Sequence, residues 1–137
     1  MNPVSEDIKD ILIDSANDVG DFASTTGWSI HIGGEMPDSP DTCILINDVS
    51  SFRPPDPKLD IRYPTVQIQV RGSKGGYDDA YDKAEEVVTV LHGLTEQTYS
   101  GARYLQILCS SDIMYLNRDS KQRPTFSINF QLHRVAT

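Results

Sequence analysis

Cysteine is scarce in this chain: Cys43 and Cys109 are the two among 137 residues. Both lie in apolar runs, so buried free thiols are expected, with a disulfide as the alternative. His31, His92 and His133 are scattered and form no zinc spacing with the cysteines, so neither a metal nor another cofactor is expected. Positive charge is also short. Twelve Lys and Arg face twenty Asp and Glu, a net charge of -8, which argues against a general nucleic-acid-binding surface. No apolar run approaches the roughly 18 residues of a membrane span. The opening residues 1–7 lack the basic and apolar regions of a signal peptide, so a cytoplasmic site of work is expected. No nucleophile motif such as Gly-x-Ser-x-Gly is present. Gly72-Ser73-Lys74-Gly75-Gly76 precedes a helical pattern but lacks P-loop spacing, and Asp78 and Asp79 follow where a phosphate would sit. Asp38 and Asp41, around Ser39-Pro40, read as turn formers rather than cation ligands. The chain is therefore not expected to be an enzyme.

What is present is patterned. Over 63–71, Val66, Ile68 and Val70 alternate with Gln67, Gln69 and Arg71, the period-two signature of a strand with one apolar and one polar face. Pro64 fits at its start. Over 125–135, Phe126, Ile128, Phe130 and Leu132 alternate with Ser127, Asn129, Gln131 and His133. The polar positions Gln67, Gln69, Arg71, Asn129 and Gln131 belong either to a solvated sheet face or to one that meets a subunit or a ligand. Further strands are expected at 28–32, 42–48 and 102–109, the last with Leu105, Ile107 and Cys109 on one side, and a shorter one at 113–116.

Helices are expected over 5–19 and 78–92. The first has Ser5 as N-cap, an apolar face through Ile8, Ile11 and Leu12, and Gly20 as its stop. Its other face carries Glu6, Asp10, Asp14 and Asp18 at spacing four. That acidic stripe is either solvated or kept for a partner or a DNA-repelling lumen. The second buries Tyr77, Ala80, Ala84, Val87, Val88 and Leu91. Between strands, residues 49–62 make a long connection with three prolines and the apolar Phe52, Leu59 and Ile61. Connections this long are often functional: an arm reaching a neighbour and a loop folded on its own core are the two readings.

Residues 1–48 hold ten acids and one lysine, and residues 49–137 hold ten acids and eleven Lys or Arg, a balance of -9 against +1. The halves suit head-to-tail contact, with Lys58, Arg62, Arg118, Lys121 and Arg123 as the basic side. Length suggests a single domain over 1–137. The irregular order of helices and strands argues an α+β fold, a mixed, mainly antiparallel sheet with two amphipathic helices packed on one face.

Several stretches in order resemble the tail terminator (minor capsid) family of long-tailed bacteriophages. They are Gly34-Glu35-Met36-Pro37-Asp38-Ser39-Pro40-Asp41, Tyr63-Pro64-Thr65-Val66-Gln67-Ile68-Gln69-Val70-Arg71-Gly72, the helix start Tyr77-Asp78-Asp79-Ala80, the turn His92-Gly93-Leu94, and Arg123-Pro124-Thr125-Phe126-Ser127-Ile128-Asn129-Phe130. The chain departs from the family pattern at Tyr115-Leu116-Asn117-Arg118-Asp119-Ser120, where a glycine and an acidic pair are expected. The resemblance implies a structural virion protein, not an enzyme. It implies a six-membered ring that caps the head-proximal end of the tail tube, stops its growth and forms the head-joining surface. Its implied partners are itself, the tail tube protein and a head-tail connector or stopper protein. DNA would pass without specific binding, and assembly would occur in the host cytoplasm before incorporation into the virion. The competing readings are a head-completion connector and a small-ligand or nucleic-acid-binding module built on the polar sheet face.

Overall fold

The computed structural model describes residues 2–14, 28–49 and 53–136. In chain order the elements are α1 (Val4–Ile13), β1 (Ser29–Ile32), β2 (Cys43–Val49), β3 (Ile61–Arg62), β4 (Thr65–Arg71), α2 (Tyr77–Leu91), β5 (Thr95–Tyr99), β6 (Ala102–Cys109), β7 (Met114–Arg118) and β8 (Pro124–Ala136). One 8-stranded sheet runs β1-β2-β4-β8-β6-β5, with β3 and β7 also paired to β8. The β1–β2 pair is parallel, and the other pairs are antiparallel. The fold class is thus α+β with a mixed, mainly antiparallel sheet.

The long strand β8 is the hub. β4 and then β3 lie along one of its edges, and β7 and then β6 along the other. Its alternation sets the layers. Phe126, Ile128, Phe130 and Leu132 face inward with Val66, Ile68 and Val70 of β4 and Ile44 and Ile46 of β2. Both helices close this same core, α1 through Ile8, Ile11 and Leu12 and α2 through Ala80, Ala84, Val87 and Leu91. Burying an aliphatic or aromatic side chain of this size stabilises by roughly 1.5–3 kcal/mol, so matched alternation on β4 and β8 decides which way the sheet faces, while Cys43–Ile46 of β2 is buried on both faces.

Several boundaries depart from the sequence pattern. α1 ends at Ile13, and Asp14 is extended; the remainder of the helix expected to 19, and Gly20 as its stop, lie outside the described residues. Ser5 is not a cap but the second helical residue. Its N–H and hydroxyl both donate to the Asp48 carboxylate of β2, at 3.0 and 2.7 Å, so a distant acid supplies the missing cap acceptor. β5 had no apolar pattern to announce it. It is an edge strand joined to β6 by a two-residue turn at Ser100-Gly101, both with positive φ, the geometry that brings hairpin strands into pairing twist. In β6 the register shifts between Tyr104 and Gln106. This bulge puts Tyr104 and Ile107 in the core and leaves Leu105 half-buried, in place of the expected side shared by Leu105, Ile107 and Cys109. Cys43 is buried, Cys109 is half-buried, and both thiols are free.

Gly72 joins β4 to α2 at a close approach. A Cβ there would lie 2.7 Å from the Gly76 carbonyl oxygen and 2.8 Å from the Ala80 Cβ. The glycine-rich segment 72–76 therefore has a packing reason independent of any phosphate.

Candidate functional site

Register places the expected polar face in three rows across β2, β4 and β8: Asn47, Gln67 and Asn129; Leu45, Gln69 and Ser127; Cys43, Arg71 and Thr125. Gln131 follows opposite Thr65. Gln67, Gln69, Asn129 and Gln131 are half-buried, and Gln67 Nε2 donates to Ser127 Oγ at 3.2 Å. A cleft of about 430 Å³ opens on this face, between Met36 of the 33–41 loop and Leu116 and Asn117 of β7.

Two arginines pin that loop. Arg71 is buried. Its guanidinium donates to the carbonyl oxygens of Asp41, Pro37 and Pro40 at 2.7–2.9 Å. Arg123, one of the expected basic-side residues, is also buried. It pairs with Asp119 at 2.7 Å, Asp41 at 3.1 Å and Asp38 at 3.2 Å, and donates to the Asp38 carbonyl at 2.7 Å. Lys121 joins Asp38 at 2.6 Å in the open. A hydrogen bond and charge from Lys121, with Arg123 behind it, hold the Asp38 carboxyl below its ordinary range. Burial pulls Asp119 upward, but hydrogen bonds from Arg123 outweigh it and leave that carboxyl lowered as well. The acids of the turn and the bases of the 118–124 loop thus meet within one chain. Arg118, Lys58 and Arg62 remain exposed.

The long connection divides into parts. Phe52 lies outside the described residues. Residues 53–60 are mostly exposed and form a self-organised turn. Asp56 Oδ1 accepts the N–H groups of Lys58 and Leu59, and Asp56 N–H donates to the Ile61 carbonyl. Leu59 stands at its tip, 65% exposed. Ile61 and Arg62 are not irregular but form β3, paired with Val135 and Arg134. The base is fixed by the Arg53 guanidinium 3.7 Å over the Tyr63 ring, which meets His133 edge-on.

Of the acidic stripe, Glu6 and Asp10 are exposed on α1 and Asp14 just past its end, while Asp18 lies outside the described residues. The neighbouring Asp7 turns inward and is fully buried. It accepts a very short hydrogen bond from the Tyr104 hydroxyl, and Arg134 lies 5.7 Å over the Tyr104 ring. Burial raises the Asp7 carboxyl despite that bond. Burial, then the bond to Asp7, raises the Tyr104 hydroxyl.

One surface was missed in the sequence. Tyr77 and Tyr81 of α2 and Tyr115 of β7 gather around buried Phe126, with ring centroids 5.0–5.6 Å from it. Tyr77, expected in the buried stripe, is 40% exposed. Met114 and Leu116 are exposed on the same strand. The signal was available as Tyr77 and Tyr81 at spacing four and the apolar triplet 114–116 in an otherwise polar stretch.

Among the described residues no group of His, Cys, Asp or Glu is placed to hold a metal ion, and no helix is long and apolar enough to cross a membrane. No curated protein matches the chain. A solved structure described as the virion of a native gene transfer agent particle contains a chain with the same fold, at TM-score 0.65 and 12% identity, covering 88% of this chain and 82% of that one. The family model for the bacteriophage tail terminator protein matches residues 14–135, which takes in α2 and the described strands but for the last residue of β8. The chain belongs to the bacteriophage tail terminator family.

Proposed function

We propose that this protein closes the head-proximal end of a phage tail tube as a ring of six copies, stops tube growth and presents the surface that joins the filled head. The family match over residues 14–135 is the observation that carries this reading. Its partners are then other copies of itself, the tail tube protein and a head-tail connector or stopper protein. Subunits assemble in the host cytoplasm and remain in the virion.

Physical features fit such a role. Repeating head-to-tail contacts keep adding subunits unless the rotation closes, so a terminator needs one surface like a tube subunit and an opposite one unlike it. The sheet ends in short edge strands, β1 and β5, and β7 carries apolar side chains in the open; such edges are available for pairing between chains. The Glu6, Asp10 and Asp14 face would repel phosphates, which suits a passage that lets DNA through without holding it.

Imaging of intact tails tests the reading. One closed ring of six copies at the head-proximal end is expected. Reversal of exposed Arg118 to Glu is expected to give overlong tails or headless particles. Arg118 is preferred to Arg123 because reversing Arg123 would also break the loop clamp. Finding the protein along the whole tube, at the distal tip, on the head side of the joint or absent from particles would overturn it.

A further inference from the structure

We propose that the ring contact, whose existence rests on the reading above, is made by the 53–62 arm of one copy docking on the tyrosine patch of the next. The two features lie at opposite ends of β8. The arm leaves the sheet beside Arg134 and Val135, and the patch sits over Phe126. Nine residues of strand separate them, about 30 Å at the usual rise of roughly 3.4 Å, so an arm that is pinned at both Tyr63 and β3 cannot cover its own patch. Among the described residues neither feature meets its complement, and a second copy offers both.

The chemistry matches. Leu59 is the most exposed of the large apolar side chains among the described residues, and its turn is preorganised by Asp56, which lowers the ordering cost of docking. Tyr77, Tyr81 and Tyr115 offer ring faces on a rigid base, the residue type most often dominant in interface energetics. Charge is complementary as well. Lys58 and Arg62 flank Leu59, whereas Glu85 and Asp112 lie close enough to act on the Tyr81 hydroxyl, and both are exposed. The apolar contact supplies affinity, and the charges set direction, arm to patch and never arm to arm.

The test uses the full chain in assembling tails. Leu59→Cys and Tyr81→Cys are prepared separately and mixed. Oxidation is expected to yield a cross-linked dimer in the mixture well above the background that Cys109 gives in either variant alone. If circular dichroism shows Tyr81→Cys unfolded, Tyr77→Cys, in the same patch and 40% exposed, replaces it. In parallel, Lys58→Glu and Asp112→Lys are each expected to cut the yield of normal-length tails about tenfold, and the double exchange to restore it to within about threefold, the behaviour of a directly coupled pair. Normal tails closed by a six-copy ring, with no mixed cross-link and no rescue, would overturn the arm-to-patch contact while leaving the ring intact. Cross-linking of the patch to the tube protein would overturn it too, assigning the patch to the tube. Particles lacking this chain at the head-proximal end would overturn the ring reading itself.

Discussion

Replacing Tyr104 by Phe removes one oxygen from the core and isolates one interaction. The ring is fully buried and keeps its packing in the variant, so no cavity larger than the hydroxyl opens. The loss is the hydrogen bond to Asp7, whose other oxygen, Oδ1, already has no hydrogen-bond partner within the described structure. A hydrogen bond to a charged group contributes about 1.5–3 kcal/mol, so a loss of about 2 kcal/mol is expected at neutral pH. For a chain of this size that lowers Tm by roughly 6–10 °C. The cost should depend on pH. Burial raises the Asp7 pKa above 3.8, and the Tyr104 bond works against that rise; without the hydroxyl the pKa climbs further. A raised carboxyl contributes stability that is present below the unfolded pKa and lost as pH rises through the folded one. The variant therefore loses more than the parent on going from pH 4 to pH 7, and the gap between them widens. Urea denaturation of both proteins at the two pH values measures it. A loss below about 0.5 kcal/mol at neutral pH, or an equal loss at both, would refute the assignment of Asp7 as a buried, partly satisfied acid.

Gly72→Ala should cost about 1–3 kcal/mol through overpacking, because its Cβ meets the Gly76 carbonyl at 2.7 Å; denaturant midpoints measure this, and an unchanged midpoint would show that α2 can shift away. Arg123→Ala should release the 33–41 loop, seen as faster proteolysis within it while the remaining sheet persists. Because Asp38 and Asp119 are lowered, the parent clamp should be stable above the ordinary carboxylate range and weaken only as pH falls through their depressed values; loop protection that persists in acid would count against it.

Strict alternation made β4 and β8 legible, because two buried faces and a hub position agree with the local pattern. Other parts depend on long-range geometry. The apolar spacing of the first helix continues past residue 13, yet Asp14 lies at the negative end of the helix dipole, where no base occupies the last turn. The bulge at Leu105 leaves Ile107 and Cys109 on the core side but, before it, brings Tyr104 into the core in place of Leu105. Arg71 and Arg123 read as surface cations because sequence gives no sign that the 33–41 loop folds over them. The arm was visible from its prolines and exposed-type apolar residues, but Tyr77, Tyr81 and Tyr115 come from two elements and meet only in three dimensions.

The acidic face of α1 gains meaning from how the helix is held. Its apolar stripe, Ile8, Ile11 and Leu12, packs it against the sheet. Two polar ties add to that hold. Ser5 is bound by Asp48 of β2, and Asp7 by Tyr104 of β6. These strands lie on opposite sides of the β4–β8 pair, so the ties span the sheet. With Asp7 drawn inward, Glu6 and Asp10 face out on the helix, while Asp14, extended past its end, accepts a hydrogen bond from the Tyr99 hydroxyl at 3.3 Å.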